Sequence, residues 1–291
     1  MIDTSRVPGF VKRTVHMGTR TLGRLTAGDR LLPSFLICGG QRCGTTTLYR
    51  ALAAHPGVLK PVLHKGVHYF DTGYHRGPAW YRAHFPLQRT ADRVAQKLGF
   101  APLVFESSPY YLYHPLAGAR LARDLPGVRV IVLVRDPVVR AHSHHAHELA
   151  RGFESEPSFA RALALEPARL RGQTERMLRD PHYRSFAHQH HAYRARGEYS
   201  RYLAALAEHI PVERILVLES ADLFTRPEYL YDRVLAFLGL PWLGYPKFGR
   251  YNARPRPPMP ERVRRELTVH YAPFDQALAG WLGHQPSWRA A

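Results

Sequence analysis

A glycine-rich turn between an apolar run and a helical pattern constrains this chain more than any other feature. The apolar residues 35–38 predict a buried strand, and the turn GGQRCG follows at 39–44. Three threonines at 45–47 then begin a helix whose first N–H groups have no acceptor within the helix and therefore attract an anion. A lone glycine pair would fit a tight connection with no ligand. Two glycines in register, a cation and three threonines together predict a phosphate-binding loop.

The loop lacks one residue of the pattern G-x-x-x-x-G-K-[ST], which binds nucleoside triphosphates. Gly39 and Gly44 match its glycines and Thr46 matches its hydroxyl residue, but Thr45 occupies the lysine position. The nearest cation, Arg42, lies inside the loop. Enzymes that act on β- and γ-phosphates use that lysine together with magnesium. We therefore expect a nucleotide whose 5′ end is not a triphosphate, and no metal ion.

Strands and helices alternate along the rest of the chain. Apolar runs at 103–105, 128–134 and 215–218 predict strands, and the second run is mostly β-branched, as in strands buried on both faces of a parallel sheet. Helical patterns occupy residues 48–54, 116–125, 137–150, 199–208, 227–238 and 261–271. This alternation predicts an α/β fold: a P-loop-like, doubly wound parallel sheet flanked by helices, with a helical insertion at 152–189 and a C-terminal cap. The ligand of such a sheet binds at the carboxyl ends of the strands.

A second candidate phosphate site follows the β-branched run. Arg135, Asp136 and Pro137 begin the next helix, and Ser143 lies further along it. Arg135 offers a planar fork of N–H donors and Ser143 offers a hydroxyl, so both side chains suit a phosphate group. An ordinary surface ion pair with Asp136 or Glu148 is the alternative for Arg135.

The charge of the chain restricts the class of partner. Lys and Arg number 41 against 23 Asp and Glu, which gives a formal net charge of +18 and favours anionic ligands such as nucleotides, acidic glycans or acidic lipid. No RNA- or DNA-binding motif is present, and the arginines are scattered instead of forming a stripe with aromatic residues. We therefore expect no nucleic-acid partner.

The N-terminal segment and the two cysteines indicate where in the cell the protein is located. Residues 1–32 form a basic leader without an apolar run long enough for a signal peptide or a membrane span, although a basic leader could also lie on an anionic membrane surface. Cys38 and Cys43 are too few for a disulfide framework, which fits a reducing compartment. We expect a cytoplasmic protein, with peripheral membrane contact through the leader as the alternative.

These motifs resemble the sulfotransferases that use 3′-phosphoadenosine 5′-phosphosulfate as the sulfuryl donor. The segment 39–48 is similar to their 5′-phosphosulfate loop, and Arg135-Asp136-Pro137 with Arg140 and Ser143 is similar to their 3′-phosphate motif. The likeness covers nearly the whole chain from Pro33 onwards and is closest to the heparan-sulfate-type and related bacterial branch of carbohydrate sulfotransferases. Further matching segments are VHYFD at 67–71, WY at 80–81 and ESSPYY at 106–111.

The resemblance implies that residues 33–291 form one sulfotransferase domain. Such a domain moves a sulfuryl group from the donor to a hydroxyl or amine of a glycan, glycolipid or small metabolite, without a metal ion. Arg42 would stabilise the charge that builds on the leaving oxygen. The donor-binding residues that the resemblance implies are Gln41, Arg42, Cys43, Gly44, Thr45, Thr46, Thr47, Arg135 and Ser143.

The general base is the point at which the sequence departs from this branch. The residue after Lys65, a glutamate base in the branch, is Gly66 here, and glycine has no group that accepts a proton. His68, His64 and Glu106 are the remaining candidates nearby. We expect His68 to act as the base because an imidazole titrates near neutral pH, and we keep Glu106 as a second catalytic candidate.

Three questions stay open from the sequence. A P-loop kinase or a donor-binding protein without activity remains an alternative to a sulfotransferase. The aromatic residues Trp80, Tyr81 and Phe85 either contact the acceptor or pack their loop against the core. The histidines at 142–147 are expected to form a polar helix face over the donor or acceptor groove.

Overall fold

A five-stranded parallel sheet forms the centre of the computed structural model, which describes residues 25–249, 251 and 257–289. The strand order is β2-β3-β1-β4-β5. The predicted α/β fold with a parallel sheet flanked by helices is confirmed. The strands are β1 (Phe35–Ile37), β2 (Val58–Leu59), β3 (Leu103–Glu106), β4 (Arg129–Val134) and β5 (Ile215–Glu219).

Helices cover the sheet in the described part of the chain. The predicted insertion contains three of them, α6 to α8, and the C-terminal cap is the long helix α12. Their bounds are α1 (Thr45–Leu52), α2 (Pro78–Arg82), α3 (Gln88–Leu98), α4 (Ala117–Asp124), α5 (Pro137–Ala150), α6 (Phe159–Leu170), α7 (Gln173–Arg179), α8 (Phe186–His190), α9 (Tyr199–Ala207), α10 (Asp222–Thr225), α11 (Pro227–Leu238) and α12 (Glu261–Leu282).

The central strand positions the functional loops. β1 lies between β3 and β4, with Leu36 paired to Glu106 on one side and to Val130 on the other. Because all strands are parallel, the loops that leave β1, β3 and β4 emerge side by side at one edge of the sheet. Residues 130–134 of β4 have no exposed surface, as the β-branched pattern predicted for a strand buried on both faces.

Several elements escaped the sequence analysis, among them β2 and the helices α2, α3 and α10. β2 has only two residues, too few for a periodic pattern. Helix α3 buries Ala91 alone among its residues, so its apolar stripe is too weak to read from the sequence. Helix α12 also runs to Leu282 instead of ending at 271, and it passes through Pro273, whose ring is on the exposed side of the helix.

The described end of the leader lies against the segment that follows α2. The Arg30 guanidinium donates to the Phe85 carbonyl oxygen at 2.6 Å, and the Leu31 amide donates to the Pro86 carbonyl oxygen at 3.0 Å. The rest of the predicted leader, residues 1–24, lies outside the described residues. Within the described ranges, no helix is long and apolar enough to cross a membrane.

Burial answers two of the open questions. Trp80, Tyr81 and Phe85 are buried, so they pack their loop against the core and do not offer a face to an acceptor. The rings of His142, His144 and His145 are buried as well, and they pack against aromatic residues of the insertion and of the segment that follows it. The prediction that these three histidines form a face over an open groove is wrong, because the inserted residues cover them.

Candidate active site

The phosphate loop wraps tightly around the end of β1. A Cβ atom on Gly39 would lie 2.3 Å from the backbone nitrogen of Leu133, so only glycine allows the loop to run this close to β4. Gly44 precedes α1 in the left-handed conformation, with φ at 82°, and Arg42 also has a positive φ of 74°. The loop therefore has the cradle shape that the glycine pattern predicted.

The side chains of the loop anchor it to distant parts of the chain. The Cys43 thiol is buried 3.5 Å from the Tyr199 hydroxyl, which donates to the Arg135 carbonyl oxygen, and burial raises the pKa of this thiol. The Thr47 hydroxyl donates to the carbonyl oxygen of Gly249 at 3.0 Å. These two side chains therefore hold the loop in place.

Gln41 joins the loop to a buried polar cluster. Its amide nitrogen donates to Glu148 at 2.8 Å, and its amide oxygen accepts from Arg196. Glu148 also accepts from His190 Nδ1 at 2.8 Å. Burial tends to raise the pKa of Glu148, but the neighbouring His190, His147 and Gln41 together outweigh burial and the pKa is lowered. Glu148 therefore pairs with His190 and Gln41 and not with Arg135.

The two predicted phosphate motifs meet in space. Arg42 Nε donates to the Ser143 hydroxyl at 3.1 Å, although these residues are 101 positions apart in the sequence. Arg135 Nη1 lies 3.5 Å from the Arg42 carbonyl oxygen. Asp136 does not pair with Arg135 but caps α5 by accepting from the Val138 amide at 2.9 Å. No salt bridge joins Arg135 to a carboxylate in the described ranges, which leaves its charge available for an anion.

Lys65 contacts the loop, and the sequence analysis did not assign it a role. Its ammonium group donates to the hydroxyls of Thr45 and Thr46 at 3.0 and 3.2 Å. Burial lowers its pKa to about 8, although nearby Glu106 acts in the opposite direction. No local pattern could have revealed this contact, because Lys65 is separated from the loop by helix α1 and strand β2.

His68 and Asp71 form a hydrogen-bonded pair beside the loop. His68 Nδ1 lies 2.7 Å from Asp71 Oδ2; the Asp71 side chain is fully buried and that of His68 is 45% exposed. Burial tends to lower the pKa of His68, but the Asp71 carboxylate outweighs burial and the pKa is raised. With Nδ1 donating to Asp71, Nε2 of the neutral ring is free to accept a proton. His68 also has a left-handed backbone, with φ at 55°, a conformation that non-glycine residues rarely adopt.

The environment of Glu106 differs sharply from that of His68. Its carboxylate is fully buried and accepts from the Val67 amide and from the hydroxyls of Ser108, Tyr111 and Tyr81 at 2.6–3.2 Å. Burial raises the pKa of this carboxyl group. Because both oxygens are occupied by donors, the geometry favours a positioning role for Glu106. His64, the third candidate base, is exposed.

Gly66 has no space for a side chain. A Cβ atom there would lie 2.6 Å from the Ser107 carbonyl oxygen and 3.4 Å from His68 Nε2. A glutamate at this position would therefore displace the backbone that follows β3. The same geometry shows that His68 Nε2 occupies space next to Gly66, the position at which the resembling branch has its glutamate.

Metal-ligating side chains are not grouped in the described part of the chain. No three or more histidine, cysteine, aspartate or glutamate residues lie together there in an arrangement that could hold a metal ion. His190 hydrogen-bonds to Glu148 within the polar cluster around Gln41, and His144 Nε2 lies 3.6 Å from the same carboxylate without a hydrogen bond.

Comparison with known proteins gives a consistent result over most of the chain. A family model described as a sulfotransferase domain matches residues 32–244. The chain is 29% identical over 289 residues to heparan sulfate glucosamine 3-O-sulfotransferase 6 of Mus musculus. This match covers 90% of this chain and 75% of that protein. It is also 26% identical to the bifunctional heparan sulfate N-deacetylase/N-sulfotransferase 3 of Homo sapiens. That match covers 89% of this chain but 31% of that protein.

A solved structure supports the same relationship. The crystal structure of a sulfotransferase from Alicyclobacillus acidocaldarius superimposes with a TM-score of 0.65 at 25% sequence identity. The match covers 89% of this chain and 99% of that chain. The similarity therefore extends over most of both chains.

Proposed function

Because the chain belongs to the sulfotransferase domain family, we propose that it transfers the sulfuryl group of 3′-phosphoadenosine 5′-phosphosulfate to a hydroxyl or amine of a glycan, glycolipid or small metabolite. When bound, this donor supplies an electrophilic sulfur with a phosphate as the leaving group. The observation that carries the proposal is the hydrogen bond between Arg42 and Ser143, which joins a 5′-phosphate loop to a second anion site.

The described residues fit a nucleotide with phosphates at both its 5′ and 3′ positions. The start of α1 and the hydroxyls of Thr45 and Thr46 suit the 5′-phosphosulfate. Arg135, which has no carboxylate partner in the described ranges, and Ser143 suit the 3′-phosphate. The loop has no lysine of its own at position 45, which disfavours a triphosphate with magnesium and hence the kinase alternative.

The proposed reaction assigns a proton and a charge to named residues. His68 accepts at Nε2 the proton of the acceptor hydroxyl, while the new S–O bond forms and the S–O bond to the 5′-phosphate breaks. Asp71 holds the imidazole ring in orientation and stabilises the imidazolium that results. Arg42 stabilises the negative charge that remains on the departing phosphate oxygen, so adenosine 3′,5′-bisphosphate leaves with the bonding electron pair.

The surface beside residues 64–71, the base loop, supports an anionic acceptor. His75, Arg76, His182 and Arg184 are all exposed, and Arg184 Nη2 lies 3.1 Å from a ring nitrogen of His75. His75 and Arg76 follow the turn that contains Asp71, and His182 and Arg184 lie close to His75. The two relatives named above act on heparan sulfate, an acidic glycan, and we propose an acidic glycan as the first acceptor class to test.

We propose that the protein is cytoplasmic. Cys38 and Cys43 are both free and buried, which supports a cytoplasmic protein. Contact of the basic leader with a membrane surface concerns residues outside those that the structure describes.

Ligand choice tests the donor assignment. We expect adenosine 3′,5′-bisphosphate to raise the unfolding temperature in the presence of EDTA, because a ligand at 100 times its Kd stabilises the folded state by about 2.7 kcal/mol. Stabilisation by ATP with magnesium alone would support a kinase and contradict the proposal. Transfer of labelled sulfate from the donor to a panel of glycans then identifies the acceptor, and donor binding without any transfer would indicate a protein without activity.

A further inference from the structure

A cavity of about 380 Å³ lies between helices α4, α7 and α9 and the segment that follows β3. Its volume falls within the range of protein cavities that hold small organic molecules. None of its lining residues belongs to the phosphate loop or to the base loop, so it is a different site from the one described above. The lining residues that decide its chemistry are Tyr111, Tyr113, His114, His188, Tyr202 and Ala205.

His114 offers an N–H donor to this cavity. Its Nδ1 accepts from the Leu116 amide at 3.3 Å, and because a backbone N–H can only donate, the neutral ring carries its proton on Nε2. Burial is the main cause that lowers the pKa of His114, to about 4, and the guanidinium groups of Arg120 and Arg196 act in the same direction. The ring is therefore neutral at pH 7. The residue is 8% exposed, and its Nε2 has no hydrogen-bond partner among the described residues.

His188 supplies a second donor and is part of an aromatic wall. Its Nδ1 lies 2.8 Å from the Tyr110 hydroxyl, and with that hydroxyl donating to Nδ1 the ring carries its proton on Nε2. Burial, together with Arg196, lowers the pKa of His188 to about 2, so this ring is neutral as well. It stacks on the Tyr113 ring with the centroids 4.1 Å apart, and Tyr202 packs edge-on against Tyr113 at 4.9 Å. The cavity thus combines an aromatic wall with two N–H donors.

Buried positive charge lies next to these donors. Arg120 and Arg196 are each 6% exposed, and their hydrogen-bond acceptors are backbone carbonyl oxygens and the amide oxygen of Gln41, all of them uncharged. Neither guanidinium forms a salt bridge in the described ranges. Both act on the pKa of His114, so their electric field reaches the cavity. Glu208 at the rim is exposed, and water screens its charge. An anion in the cavity would therefore be stabilised.

We propose that this cavity is a binding site for a small organic carboxylate with a ring-shaped body. The carboxylate accepts from Nε2 of His114 and of His188, two rings that lie close enough for one to lower the pKa of the other. The ring of the ligand packs against Tyr113 and Tyr202. Two sources offer this chemistry: a uronic acid unit of an acidic glycan, and a free carboxylic acid. The site does not depend on the proposed sulfuryl transfer.

Benzoate is a suitable probe, because it is charged at pH 7 and its ring matches an aromatic wall. We expect titration calorimetry to show one site for benzoate on the parent protein, with an affinity that saturating adenosine 3′,5′-bisphosphate does not change. Benzamide has the same shape without the charge, so it should bind at least about tenfold more weakly. Displacement of benzoate by the bisphosphate would assign benzoate to the donor site and overturn the inference. Equal binding of benzoate and benzamide, or no binding of benzoate, would also overturn it.

Two neighbouring alanines on α9 locate the bound molecule. Ala205 lines the cavity and Ala204 does not, and both are exposed. Ala205→Trp fills part of the cavity and should weaken benzoate binding at least about tenfold, whereas Ala204→Trp should leave it unchanged. His188→Phe keeps a ring against Tyr113 but removes the N–H donor, so it should weaken benzoate binding about tenfold. Equal affinities of the two tryptophan variants, or full affinity in a folded His188→Phe, would contradict the site. Unfolding temperatures show whether each variant is folded.

A second probe distinguishes the two sources of the carboxylate. Glucuronate carries its carboxylate on a pyranose ring, as a uronic acid unit of a glycan does. Tighter binding of glucuronate than of benzoate would support a glycan as the source, and the reverse order would support a free carboxylic acid; both results support the site. A parent protein that binds benzoate but not adenosine 3′,5′-bisphosphate would contradict the proposed function alone, so the two failures are distinguishable.

Discussion

The phosphate loop at 39–47 and the base loop at 64–71 lie at the same edge of the sheet but are built in different ways. The phosphate loop takes its shape from its own glycines: Gly39 allows the close approach to β4, and Gly44 supplies the left-handed turn into α1. The base loop takes its shape from β3 and the turn after it, because Glu106 accepts from the Val67 amide and the Ser108 hydroxyl accepts from the His68 amide. The backbone shape of the phosphate loop is thus encoded within the loop itself, whereas that of the base loop depends on another segment.

This difference has a consequence for mutation. Substitutions in the phosphate loop should affect ligand binding directly, whereas the base loop should also respond to changes at residues that never touch a substrate.

Substitution of the proposed base, His68, should have the largest effect on turnover. We expect His68→Ala to lower kcat by about 10²–10⁴, the usual contribution of a general base. Affinity for adenosine 3′,5′-bisphosphate should stay unchanged, because His68 belongs to the base loop. His64→Ala is the matched control, since His64 is an exposed histidine on the same loop. An active His68→Ala together with an inactive His64→Ala would show that the base has been misassigned.

Substitution of Glu106 tests whether the base loop depends on a residue of another segment. Glu106→Ala leaves four buried donors without their acceptor, and each such group costs about 1–3 kcal/mol. Because water can fill part of the space, we expect a loss of about 3 kcal/mol in the free energy of unfolding, measured with urea. The exposed Glu175→Ala should change stability by less than about 0.5 kcal/mol. Equal stability of the two variants would contradict a supporting role for Glu106.

The same dependence on distant contacts limits what the sequence could predict. The glycine pattern, the β-branched run and the Arg135-Asp136-Pro137 motif are each contiguous, and they led to β1, β4, the cradle and the start of α5. The contacts of Lys65 with Thr45 and of Glu106 with Val67 join residues that no short pattern connects. The steric reason for glycine at 66 also depends on Ser107, a residue of another segment.

Substitution of Arg135 tests the proposed donor site. We expect Arg135→Ala to weaken binding of adenosine 3′,5′-bisphosphate by about 1.5–3 kcal/mol, since a charge-assisted contact is lost. Calorimetric titration measures this change, and the unfolding temperature without ligand should remain that of the parent. A lowered unfolding temperature with unchanged affinity would show that Arg135 supports the fold instead of the ligand.

Asp71 should produce the smallest and most diagnostic change, a shift in pH dependence. Asp71 raises the pKa of His68 above the usual value of 6.5, so the activity of the parent should rise with pH through a midpoint above 6.5. Asp71→Asn removes the charge that stabilises the imidazolium, so this midpoint should move to lower pH. Turnover at the plateau should also fall because the ring loses its orienting carboxylate. A midpoint that does not move would mean that another group titrates.

The most direct test of the account is the contribution of the 3′-phosphate to nucleotide affinity, since the central claim is that two distant phosphate motifs form one donor site. Titration calorimetry in EDTA can compare adenosine 3′,5′-bisphosphate with adenosine 5′-monophosphate, which lacks the 3′-phosphate. We expect the parent to bind the bisphosphate at least about tenfold more tightly, the value of one charge-assisted contact, and Arg135→Ala to abolish most of that preference. Equal affinity of the parent for the two nucleotides would contradict the assignment of Arg135 and Ser143 to the 3′-phosphate.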